Sequence, residues 1–127
     1  TLAAIDLCLI SLDDGTSRLY KCGGAGSYAK TSKETTHITP DSLPAGSFVP
    51  GDTSVYSIPS ERGSMVVLVS DGISSSETSR LPWIKNMIEA FDGNEPEALA
   101  QMILKHAKEI SHQDPTDDLT VLAAHIG

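Results

Sequence analysis

The stretch MVVLVSDGISSSE, residues 65–77, drives an apolar run into an Asp-Gly pair followed by small polar residues. Met65 to Val69 are apolar on both parities, which is how a strand covered on both faces reads; an amphipathic helix would interleave polar positions. A buried strand that ends in a carboxylate needs a reason, and the rest of the chain supplies one when it is read outward from Asp71.

Upstream, Leu2 to Leu12 is again apolar on both parities and predicts a strand covered on both faces. DDGT, residues 13–16, with Gly15 suited to a positive φ, turns the chain back into Ser17 to Cys22 as a hairpin. GGAGS, residues 23–27, interrupts the pattern. Tyr28 to Ser32 and Thr35 to Thr39 then read as short polar strands suited to a sheet edge, with a tight turn at Lys33 and Glu34. Residues 40–52 form a loop by their proline and glycine content, and Thr53 to Ile58 is a further strand.

Downstream the texture changes. Ser79 is placed to cap a helix with Pro82 in its first turn, and Trp83, Ile84, Met87, Ile88 and Phe91 recur at helical spacing until Asp92-Gly93 ends it. Asn94 and Glu97 form a capping-box pattern opening a second helix, with Pro96 in its first turn and Leu99, Met102, Ile103, His106 and Ile110 on the inner face. Residues 111–118 break it, and Leu119 to Ile126 is the closing strand. A run of strands, two helices and one last strand predicts an α+β fold, mostly antiparallel, with the helices layered on the sheet between its last two strands.

With 127 residues, 39% hydrophobic and 20% charged, the chain reads as one compact domain or half of a larger one, and Thr1 to Leu12 reading as strand from the first residue suggests a segment of something longer. No apolar run approaches the ~20 residues of a spanning helix, and no basic-then-apolar leader is present. The expected setting is cytoplasmic, with any membrane anchor of the parent protein elsewhere. A formal charge of −8 with nine Lys and Arg opposes a nucleic-acid partner and suits divalent cations or a plain solvated surface. Cys8 and Cys22 have no zinc-ligand spacing and read as reduced core residues.

The reason for Asp71 lies in Asp117. If Met65 to Ser70 and Leu119 to Ile126 pair antiparallel, the end of one strand and the approach to the other share one sheet edge, and their carboxylates converge. Two close carboxylates repel unless a cation sits between them, and a hard divalent ion, Mg²⁺ or Mn²⁺, fits oxygen donors with no Cys or His cluster beside them. Gly72 lets the backbone leave the strand sharply, and Asp114 and Asp118 stand ready as further oxygens. Either motif alone is an ordinary turn or loop; the ordered combination is much more specific.

Taken together, AAIDLCLISLDDGTSRLYKCGGAGSYAK, SLPAG, VLVSDGI and DDLTVLAAHI resemble, in order, the C-terminal half of the catalytic domain of PPM (type 2C) metal-dependent serine/threonine phosphatases. The bacterial branch of stage II sporulation protein E and its stress-response relatives is the most similar. The resemblance covers nearly all of residues 1–127 and implies part of an αββα sandwich. In the intact domain, two Mn²⁺ or Mg²⁺ ions at the sheet edge would activate a water that hydrolyses phosphoserine on a regulatory protein, such as an anti-anti-sigma factor. By the same resemblance Asp71 and Asp117 are metal ligands, Asp118 stands behind them where many relatives have Asn, and Ser70, Gly72 and Thr120 shape the site. The family's remaining ligands fall before the equivalent of Thr1, so the chain is expected to hold no complete catalytic set and to be weak or inactive alone. Gly26 also departs from the pattern, standing where close relatives often have Pro.

Arg80 and His112 are the candidate contacts for substrate or regulator: Arg80 because the segment from Ser74 to Leu81 acts as a flap or regulatory helix in the resembled family, His112 because it stands near Asp117 in the sequence. His37, His106 and His125 share no metal spacing. Sheet left uncovered by a missing half is expected to favour dimerisation or strand exchange. The alternatives are a non-catalytic regulatory or interaction module with the same sandwich, and a different Mg²⁺-dependent phosphohydrolase with an acid-tipped sheet edge.

Overall fold

The structure, a computed structural model, describes residues 5–11, 13, 16–22, 25–39, 54–58, 61–78, 80–110 and 119–127. Over these residues the order is β1 (Ile5–Ile10), β2 (Ser17–Cys22), β3 (Ser27–Lys30), β4 (Thr35–Ile38), β5 (Ser54–Ile58), β6 (Met65–Val69), α1 (Asp71–Ser74), α2 (Trp83–Ala90), α3 (Pro96–Ile110) and β7 (Val121–His125). Two antiparallel sheets result, one of order β1-β2-β5 and one of order β4-β3-β6-β7. The expected α+β class holds, with strands first and helices segregated before the closing strand.

The alternation of strand side chains decides the layers. From the four-stranded sheet, Tyr28, Met65, Val67 and Val69 pack with Ile73, Trp83, Ile84, Ile88, Leu99, Ile103 and Ala107 of the helices. Its other face presents Ala29, Ile38 and Val66 to Leu19 and Ile58 of the three-stranded sheet. The molecule is thus layered sheet, sheet, helices. Strand β6 lies in the middle layer between β3 and β7, and its apolar parities serve both cores. Each fully buried Val or Ile side chain there contributes about 1.5–3 kcal/mol.

Several sequence expectations change. Strand β3 is interior and buried instead of an edge, since Ser27 and Tyr28 are fully buried and β4 takes the edge. Strand β1 is not covered on both faces: Leu7 and Leu9 are about half exposed (48% and 51%), because nothing among the described residues packs on the outer face of the three-stranded sheet. Val55 of β5 shares that face through Tyr20 and is likewise exposed. A short helix, α1, follows β6 directly and was not expected. Helix α2 has Pro82 at its N-cap position instead of in the first turn, and Ser79 lies outside the described residues. Helix α3 begins at Pro96, which removes Asn94 from the capping position; proline suits this first place because its missing N–H would have no partner there. Its buried stripe is Leu99, Ile103 and Ala107, while Met102 and Ile110 are exposed and His106 tilts against Trp83 with ring centroids 4.6 Å apart. Cys8 is a free thiol, half-buried, and burial pushes its pKa up.

Candidate functional site

Strands β6 and β7 pair antiparallel with Val69 opposite Val121, so the end of the first and the start of the second share one sheet edge. Beyond the last ladder pair, Ser70 N–H donates to the Thr120 carbonyl at 3.0 Å and Thr120 N–H donates to Ser70 Oγ at 3.0 Å. This reciprocal pair locks the two backbones where the ladder stops. Ser70 is extended (φ −77°, ψ 165°), and its carbonyl accepts from Ile73 and Ser74 N–H, which opens α1 at Asp71. Asp71 is therefore the first residue past the sheet edge, exposed, with Ile73 driven into the core two residues on.

Gly72 is helical, and among the described glycines only Gly63, with φ 93°, uses the left-handed region, so Gly72 does not supply the sharp exit expected of it. Thr120 lies where expected, beside Ser70. Arg80 is exposed in the connection between α1 and α2. Asp117, Asp118, Asp114 and His112 lie outside the described residues. Asp71 is a hard oxygen donor of the right chemistry for Mn²⁺ or Mg²⁺, but among the described residues no group of three or more His, Cys, Asp or Glu could hold a metal ion. One carboxylate does not make a metal centre. The open polar cavity of about 330 Å³ lined by Lys30, Arg62 and Asn94 lies at the opposite ends of β3 and β6 from Asp71.

A profile of the family described as Stage II sporulation protein E (SpoIIE) matches residues 1–127. The chain belongs to this family. It is 25% identical over 128 residues to stage II sporulation protein E of Bacillus subtilis (strain 168), with 98% of this chain and 15% of that protein covered. The Priestia megaterium protein of the same name is 23% identical over 128 residues, covering 98% of this chain and 22% of its own length. The chain thus spans under a quarter of these SpoIIE relatives. Among solved structures, the phosphatase domain of the cell fate determinant SpoIIE from Bacillus subtilis (Mn presoaked) matches with a TM-score of 0.79 at 22% identity, over 97% of this chain and 56% of that one. A bacterial serine phosphatase bearing an R161A mutation matches at TM-score 0.69 and 17% identity, over 98% of this chain and 53% of its own. The α+β fold is that of the PP2C phosphatase domains, and the family is one of phosphatases.

Sequence reasoning missed several polar side chains that seat α2 against the sheet in this SpoIIE-family chain. Glu77, past the end of α1, accepts from the Tyr28 hydroxyl through Oε1 and from Ile84 N–H (2.8 Å) and Lys85 N–H (3.0 Å) through Oε2. It caps α2 from outside the helix, a role for which no i, i+3 spacing could have pointed. Tyr28, buried and bonded to a carboxylate, has its phenol pKa pushed far up, by burial first and by Glu77 second. The His37 ring stacks on Tyr28 with centroids 4.5 Å apart and planes 9° from parallel; burial chiefly lowers its pKa, Lys85 and Lys21 add to that, and Glu77 opposes. Lys30 caps the other end of α2, donating to the carbonyls of Ile88 (2.9 Å), Glu89 (3.2 Å) and Phe91. Lys21 is fully buried on the same parity of β2 as Leu19, and that spacing was the signal by which it could have been found.

Proposed function

We propose that this chain supplies part of the catalytic domain of a metal-dependent protein serine/threonine phosphatase, hydrolysing phosphoserine on a regulatory protein such as an anti-anti-sigma factor. The reading is supported above all by the Ser70–Thr120 lock, which brings the start of α1 at Asp71 close to Thr120 at one sheet edge; Asp117 precedes Thr120 by three residues in the sequence. Asp71 and Asp117 would hold one face of a divalent metal. When bound, that metal supplies a water acidic enough to attack phosphorus near neutral pH. The chain's own part is positional: buried β6 mounts Asp71, Ser70 and Thr120 fix the spacing to β7, and Gly72 and Asp118 are the ligands' neighbours in sequence. Arg80 and His112 are assigned to substrate or regulator contact.

The test is Mn²⁺-dependent dephosphorylation of a phosphoserine protein by the full-length protein, compared with Asp71→Asn and Asp117→Asn. Each variant is expected to lose about 100-fold or more in kcat/KM, the scale on which a charge-stabilising group in a reaction centre is lost. Unchanged rates in both would refute the site, and no metal-dependent activity in the parent would favour a non-catalytic interaction module.

A further inference from the structure

Lys21 is fully buried between the two sheets. It stands directly opposite Asp6 in the β1–β2 ladder, with Nζ 2.8 Å from Asp6 Oδ1. That carboxylate oxygen takes no aligned hydrogen bond, so charge holds the pair. The same ammonium donates to the carbonyl of Ala25 and to Ser27 Oγ at 2.9 Å. Buried ion pairs add little stability, since desolvation offsets the attraction, and well-packed apolar replacements are often neutral or better. Its location suggests a different role.

Strand β2 belongs to the three-stranded sheet, whereas Ala25 and Ser27 lead into β3 of the other sheet. Lys21 therefore ties the sheets together, at the end where β6 runs into Asp71. The turn it grips in turn meets α1: Ala25 packs on the core that contains Ile73, and Gly26 N–H points to Ser74 Oγ at 3.5 Å. Lys21 thus holds a turn that reaches α1 through the Gly26–Ser74 approach and joins the core in which Ile73 is buried.

We propose that Lys21, paired with Asp6, is a positioning residue that fixes α1 and its Asp71 relative to the three-stranded sheet. Its consequence for metal rests on the reading of Asp71 as a ligand. Asp71 leaves buried β6 on a helix of only four residues, and the buried ammonium adds a second anchor for that helix from the neighbouring sheet. A hydrophobic pair would fill the space but would not hold the Ala25 carbonyl or the Ser27 hydroxyl at a set distance.

The experiment compares full-length wild type with the double variant Asp6→Leu/Lys21→Met, which removes both charges together. Three quantities are read: the urea midpoint, amide hydrogen exchange, and the Mn²⁺ concentration giving half-maximal phosphatase activity. The expected result is an unchanged or higher midpoint, faster exchange confined to residues 25–27 and 71–77, and unchanged exchange in α3. The half-saturating Mn²⁺ concentration should rise about tenfold or more with a smaller change in kcat at saturating metal, the signature of a displaced ligand. A folded double variant with wild-type exchange at 71–77 overturns the proposal. Should the double variant not fold, Ser27→Ala removes one acceptor and keeps the ion pair; local acceleration of the same amides supports the proposal and its absence overturns it. Localised exchange in a protein whose Asp71→Asn variant keeps full activity would leave the positioning standing and refute the ligand reading.

Discussion

A methyl group added at Gly26 would stand 2.4 Å from Nε2 of His37 and 3.2 Å from its Cδ2. Comfortable contacts between such atoms begin at about 3.5 Å, so the ring must retreat by about 1 Å. His37 is exposed and can swing toward solvent, but only by leaving its stack on Tyr28, which is itself buried and tied to Glu77. Giving up the stack costs about 0.5–1.5 kcal/mol. Residual strain at an overfilled contact brings the expected cost of Gly26→Ala to about 1–3 kcal/mol. Backbone strain adds nothing, since Gly26 is not among the residues with positive φ. That separates the steric cause cleanly: a His37→Ala background removes the three nearest contacts, and there the same substitution is expected to stabilise by about 0.4–1 kcal/mol through the unfolded chain. The assay is a double-mutant cycle on the full-length protein by urea unfolding, with an expected coupling of about 2 kcal/mol. Equal costs of Gly26→Ala in the two backgrounds would refute the reasoning.

Two further outcomes follow from the same cluster. Glu77→Ala strips the acceptor from Ile84 N–H, Lys85 N–H and the Tyr28 hydroxyl, and is expected to cost about 1–3 kcal/mol with faster exchange of the Ile84 and Lys85 amides; unchanged exchange there would deny the capping role. His37 has its pKa lowered in the fold from 6.5, so the unfolded chain binds more protons as acid is added. Its contribution is therefore intact above that value and declines as pH falls below it, and urea midpoints measured from pH 7.5 to 5 should fall less steeply for His37→Gln than for wild type. Parallel profiles would place the pH dependence elsewhere.

The sequence carried the strand that matters most. Five apolar residues without alternation gave β6 as a buried strand, and the pairing of β6 with β7 could be argued because SDG and DDLTV punctuate strands that end and begin together. Polar strands were read less well. Tyr-Ala-Lys looked like edge material because the partners that bury it are remote: Glu77 for the Tyr28 hydroxyl, helix α2 carbonyls for Lys30 and Lys21 for Ser27. The β1 segment failed in the opposite direction, since hydrophobicity on both parities records what a strand is suited to meet and not what is packed on it. Helix starts were misplaced by a few residues because the capping group of α2 is a carboxylate outside the helix, invisible to local spacing.

Sequence alone thus determined the α+β order, the apolar mount of β6 and the candidate ligand Asp71, because these depend on periodicity and on residues adjacent in the chain. Tertiary structure alone decided that Ser70 and Thr120 lock the edge, that Glu77 seats α2, and that Lys21 spans the gap between the sheets toward α1. Each of those depends on polar groups far apart in sequence finding one another where water is excluded. A buried donor or acceptor must be satisfied, but the chain does not announce by which partner.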